Sequence, residues 1–175
     1  MTPLPPDWRG FFEALLAARV EFVVIGALAV AAHAEPRFTE DLDVLVRPVR
    51  SNGVRLRKAL ASFGFEAVAP AADEITDLDR VWMLGRKPFR IDILTGISGV
   101  TWKDVHAGRI QVEIDGLVLP VIGRNELIAN KRASGRPKDL LDLDMLARTE
   151  PRKRAHPKLR ARPAKRTKRR GPPRT

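Results

Sequence analysis

The 175-residue chain contains no cysteine. A disulfide framework and any Cys-ligated zinc are thereby excluded, and the composition suits a reducing cytoplasm, where the protein is expected. A membrane span is missing too. The apolar stretch FVVIGALAVAAHA, residues 22–34, is shorter than the ~20 residues a bilayer requires. It ends in Ala32-His33-Ala34, the A-x-A pattern of a signal-peptidase site, but Asp7, Glu13 and Glu21 precede it, where a secretory leader carries no acids. A soluble protein without a membrane partner is expected. Acid is lacking in one place above all: residues 151–175 hold twelve Lys or Arg and no Asp or Glu. Residues 1–150 carry 20 basic and 21 acidic side chains, so the formal charge of +11 belongs wholly to the tail. That tail has five prolines, no Phe, Trp or Tyr and hardly any large apolar residue, too little to offset the entropy of ordering it. Residues 149–175 are read as disordered. Without Phe, Trp or Tyr rings for bases to stack on, they would bind RNA through its phosphates alone; a solubilising basic end is the bland alternative.

Residues 1–148, in a chain that is 44% hydrophobic, suffice for one domain with a core. Helical spacing marks 8–19, with Asp7 as N-cap, and a helix from Ser51, its cap, to about Phe63. EFVVIG (21–26) reads as a buried strand closed by Gly, and ALAVAAHA (27–34) as a helix ended near Pro36. Further strands are expected at 41–46, 64–68, 80–85, 89–94, 110–115 and 117–122, the last two joined by a tight turn at Gly116. Helices over 124–133 and 137–148 close the domain. Strands clustered with helices at the ends make an α+β layout. No internal repeat is present.

The segment RFTEDLDVLV, residues 37–46, sets two carboxylates into an apolar strand. Side chains alternate along a strand, so Asp41 and Asp43 share a face, about 7 Å apart at Cα. Paired carboxylates are costly to bury. A divalent cation removes that cost by taking their oxygens as ligands, and magnesium is commonly held by one or two carboxylates plus substrate phosphates. Asp92, in RIDIL, is a third acid within an apolar strand. Each has a plain reading: a solvated strand end for Asp41 and Asp43, a lone surface acid or a partner of Arg90 for Asp92. Together, three acids beside apolar β residues favour a metal site. Upstream, VVIGALAV is a strand, a Gly and a helix start, a turn whose N–H groups suit phosphate; alone it would be an ordinary tight turn. His33, His106 and His156 sit in no motif, and Trp8, Trp82 and Trp102 read as packing.

In order and spacing, Gly26-Ala27, Asp41-Leu42-Asp43 and Ile91-Asp92-Ile93 resemble the nucleotidyltransferase superfamily with the polymerase-β-like fold. EPRFTEDLDVLV is similar to the Arg-x-Thr-x-Asp-x-Asp form of small bacterial members related to AbiEii toxins of abortive-infection and toxin–antitoxin systems. LIANKRASGRPKDLLDLDML (127–146) is similar to their closing helices. The resemblance spans roughly residues 20–146. It implies an enzyme that moves a nucleoside monophosphate from an NTP, ATP among them, to a hydroxyl on RNA, protein or a small molecule. It implies Mg²⁺ on Asp41 and Asp43, with Asp92 completing the site as base or metal ligand, and an antitoxin as partner. Gly26, Ala27, Arg37, Thr39 and Lys131 fall at nucleotide-binding places. Arg37 reads equally as a surface arginine. Asp139 and Asp142, with Lys138, read as a charge network along one helix. Ala27 departs from the usual Gly or Ser, and the alternative reading is a catalytically degenerate nucleotide- or RNA-binding protein of the same fold.

Overall fold

The computed structural model describes residues 3–34 and 39–149. Helix α1 (Pro6–Ala17) opens the chain. Pro6 takes the first helical position, where a missing N–H costs nothing, so Asp7 lies inside the first turn and is not the cap. Strand β1 (Phe22–Val24), helix α2 (Gly26–His33) and strand β2 (Asp41–Val46) follow. Helix α3 (Arg50–Ser62) starts with Val49, not Ser51, at its cap position. The anchoring side chain there is the buried Asn52, whose amide exchanges hydrogen bonds with the Glu21 backbone (2.8 and 2.9 Å) and donates to Arg47 O (3.1 Å). α3 is thereby tied to the open ends of β1 and β2.

The remaining elements are β3 (Val81–Leu84), β4 (Arg90–Leu94), α4 (Trp102–Gly108), β5 (Ile110–Ile114), β6 (Leu117–Val121), α5 (Arg124–Ser134) and α6 (Pro137–Arg148). Two further differences from the sequence reading stand out. Residues 64–68 form no strand: Phe65 N–H bonds back to Leu60 O (2.8 Å) and Gly64 N–H to Ala61 O (3.1 Å), so the donors a strand would use finish α3, and a 3₁₀ turn (Glu66–Val68) follows. Helix α4 is new. Its signal was Thr101-x-x-Asp104, a capping box in which each side chain satisfies the other's backbone N–H. The β5–β6 turn behaves as expected, with Asp115 and Gly116 both at positive φ (51° and 78°), the Asp-Gly pattern of a two-residue hairpin.

The six strands form one mixed sheet in the order β3-β4-β2-β1-β6-β5. β1 runs antiparallel to β2, and β2 parallel to β4. Leu42, Val44, Val46, Ile91 and Ile93 are buried on one parity of β2 and β4, in a core shared with Phe11, Phe12 and Leu15 of α1 and Leu56 and Leu60 of α3. The other parity of the same two strands carries Asp41, Asp43, Arg90 and Asp92. That division, apolar to one face and charged to the other, positions the site.

Candidate functional site

A cleft of about 590 Å³ opens over the charged parity, lined among others by Gly26, Ala27, Asp41, Asp43, Arg90 and Asp92. The register sets its centre: Asp43 pairs with Asp92 and Asp41 with Arg90 across β2 and β4. Residues paired across neighbouring strands lie about 5 Å apart, so Asp92, about fifty positions further along the chain, shares one patch with Asp41 and Asp43. The cost is visible at Asp43. Burial pushes its carboxyl up, and Asp92 and Asp41 add to the rise, against the lowering pull of Lys138 and Lys131.

Gly26 meets two requirements at once. Ile25 N–H donates to Asp43 O (3.1 Å), which draws the start of α2 against β2. Gly26 then turns into the helix at φ +64°, and a Cβ there would overlap the Asp43 carboxylate. Gly26→Ala is therefore expected to lose about 1–2 kcal/mol to backbone strain and to force Asp43 aside. A melting temperature equal to wild type would show that this close approach is not required. Ala27 follows on α2, its N–H among the unpaired donors of the helix start.

Thr39 closes a small loop into β2: its hydroxyl donates to Asp41 O (2.9 Å) and accepts from Asp41 N–H (3.3 Å). Thr39 lines the cleft, but its hydroxyl orients the Asp41 backbone. Arg37 lies outside the described residues.

Among the described residues no three His, Cys, Asp or Glu side chains gather into a metal cage. A magnesium ion does not need one, since two carboxylates and substrate phosphates suffice. Asp41 Oδ1 is buried with no hydrogen-bond partner, an orphan acceptor beside the cleft. That oxygen, with Asp43 at the next position on the same face, is a donor set suited to a hard divalent cation.

Lys131 departs from its expected role. Its side chain, 3% exposed, lies between Asp139 (2.7 Å) and Asp142 (2.8 Å), both fully buried. The two carboxylates are thus held across the α5–α6 pair by Lys131, where sequence spacing pointed to pairing along α6. Arg136 adds a bond to Asp139 (2.7 Å). Burial alone would raise the Asp139 carboxyl, but hydrogen bonds from Arg136, Lys131 and Ser134 outweigh it and hold it far below the usual carboxylate range. Lys131 still lines the cleft, with two of its three donors committed.

Arg90 is the residue the sequence undervalued. It binds Asp92 with both arms (2.8 and 2.9 Å) and reaches Asp41 (3.2 Å). Its signal was its place two residues before Asp92, hence on the same face. Asp79, at positive φ (61°) on the cleft rim, had no local signal. The plain readings hold elsewhere: His33 is buried with Nε2 against Ile122 O (2.7 Å), and the Trp8 indole donates to Phe89 O (3.2 Å).

The model of the family described as nucleotidyl transferase AbiEii toxin, Type IV TA system, matches residues 12–174. A nucleotidyltransferase candidate from Thermotoga maritima has a similar structure, with a TM-score of 0.50 at 14% identity over 78% of this chain and 88% of that one. At that identity the likeness establishes the fold alone. No curated protein matches the chain.

Proposed function

Because the chain belongs to the AbiEii nucleotidyltransferase toxin family, we propose that it transfers a nucleoside monophosphate from an NTP to a hydroxyl acceptor, with Mg²⁺ held by Asp41 and Asp43. The observation that supports this most is the register that sets Asp43 beside Asp92, with Gly26 packed against Asp43. The start of α2, at Gly26 and Ala27, offers N–H groups and the positive end of a helix to the triphosphate. Asp92, beside Asp43, would hold the acceptor hydroxyl and take its proton. The acceptor oxygen bonds to the α-phosphorus, the α–β phosphoanhydride breaks, and pyrophosphate leaves. Magnesium, when bound, supplies charge neutralisation at the phosphate oxygens and acidifies the hydroxyl.

The family implies an antitoxin as partner, and the basic tail supports RNA as the acceptor or its carrier. That tail lies outside the described residues. Among the described residues no helix is long and apolar enough to cross a membrane, in keeping with a cytoplasmic site of action.

A second reading, a nucleotide binder without catalysis, draws on Ala27, which lacks the hydroxyl of the Ser found at this place in nucleotidyltransferases. Ala27→Ser is expected to tighten Mg²⁺–NTP binding by about 1.5–3 kcal/mol at best, through one hydrogen bond to a charged oxygen. Calorimetry giving equal or weaker affinity in a folded variant would remove that argument. The decisive experiment incubates the protein with Mg²⁺ and each labelled NTP in cell extract. Label on RNA, protein or a metabolite names the acceptor class; no transfer from any NTP leaves the binder.

A further inference from the structure

Arg90 enters no step of the reaction above, yet it holds oxygens that the reaction needs. Its Nε and Nη2 bind the two oxygens of Asp92 (2.8 and 2.9 Å), and Nη2 also meets Asp41 Oδ2 (3.2 Å). The side chain is about a quarter exposed (27%), so these contacts are partly shielded from solvent. Three carboxylates on one patch of two strands repel one another, and among the described residues Arg90 is the cation that touches two of them. In this arrangement both Asp92 oxygens already accept from the guanidinium, and Asp41 is left with Oδ1 unpartnered.

We propose that Arg90 is the resident counter-cation of this acid cluster: it competes with the divalent cation for Asp41 and Asp92, and passes to the triphosphate when nucleotide enters. The inference rests on the nucleotidyltransferase reading given above. Its physical basis is an exchange of partners. A guanidinium that leaves two carboxylates in a partly shielded cleft forfeits charge-assisted hydrogen bonds unless another anion receives it. The triphosphate is such an anion, planar-fork recognition suits its oxygens, and the same cleft is lined by Arg90 and the Gly26-Ala27 turn. Metal alone must evict Arg90 with nothing to receive it. Metal and nucleotide together give every charge a partner. The consequence is metal loading that depends on nucleotide, which keeps the acid cluster closed until substrate is present.

The test uses the full-length protein and Mn²⁺ as the probe, with bound metal measured by electron paramagnetic resonance in the absence of nucleotide. Wild type is expected to bind Mn²⁺ weakly. Arg90→Gln is expected to bind it at least about tenfold more tightly, the equivalent of one charge-assisted hydrogen bond no longer in competition. At saturating Mn²⁺ the same variant is expected to bind the tightest of the four α,β-methylene nucleoside triphosphates about tenfold more weakly. These opposite shifts are the signature, because a residue that merely props up the fold would weaken both. Equal or weaker Mn²⁺ binding by Arg90→Gln, with Asp43→Asn still abolishing the wild-type signal, overturns the role of Arg90 and leaves the metal site standing. No Mn²⁺ signal from either protein, with or without analogue, overturns the metal reading and this inference together. Should Arg90→Gln not fold, Arg90→Lys carries the same test: it keeps the charge but loses the fork, and both shifts are expected in the same directions at smaller size.

Discussion

Lys131→Met is expected to cost about 3–5 kcal/mol of folding stability, a large share of the total for a domain of this size. The ammonium lies between two fully buried carboxylates, at 2.7 and 2.8 Å. Methionine fills the volume but removes the cation that Asp139 and Asp142 share; Asp139 keeps its bond to Arg136, yet each fully buried carboxylate loses a charge-assisted hydrogen bond that offsets its desolvation. Urea unfolding of both proteins measures the loss. The pH dependence identifies its source. In wild type the Asp139 carboxyl is held below its unfolded range, so its stabilisation is complete above about pH 4 and fades as pH falls toward the folded value. In the variant that carboxyl moves up, so the gap between the two proteins is expected to narrow on acidification. A gap below about 1 kcal/mol at neutral pH would mean that Lys131 serves the cleft more than the fold.

The second large effect is expected at Asp43→Asn: nucleotidyl transfer falls about a thousandfold or more, several kcal/mol in the barrier, while the fold survives. On the proposed reading the carboxylate charge serves to hold metal. For folding it is a burden, since burial and the neighbouring Asp92 and Asp41 push its protonation upward. A carboxyl raised in the folded state opposes stability once it ionises, and that opposition grows as pH rises through its folded value. The isosteric amide carries no charge, so its melting temperature at neutral pH should equal or exceed that of wild type. Transfer and melting are measured on one sample. Full transfer by the variant would remove Asp43 from the metal site, and a lower melting temperature would mean that its charge is satisfied by the fold itself.

Much of the site was legible because its parts are local. The Asp41–Asp43 pairing on one face follows from the two-residue period of a strand, and Gly26 from a strand that must turn at once into a helix. Asp92 stood out as an acid between two isoleucines. The helices at 124–134 and 137–148 were readable from apolar spacing and from the Gly135 break. Where local reading failed, local signals conflicted. Phe65 and Val68 looked like strand residues, but the Phe65 N–H closes the end of α3 on Leu60 O and the Val68 N–H closes a 3₁₀ turn on Phe65 O. Ser51 looked like a cap, but the chain enters α3 two residues earlier, from an extended Val49.

The sequence by itself determined the α+β composition, the acids of the site and the basic tail. Those follow from periodicity and charge, which need only neighbours along the chain. The tertiary structure alone decided which groups face one another. The pairing of β2 with β4 joins residues about fifty positions apart, and no local pattern sets that register, which turns Asp43, Asp92 and Arg90 into one cluster. Likewise Lys131 reads as a cleft cation until α6 packs on α5 and encloses it between two aspartates. The physical reason is the same in both places. A charge takes its role from its partner and its solvent exposure, and both are fixed only when distant segments pack.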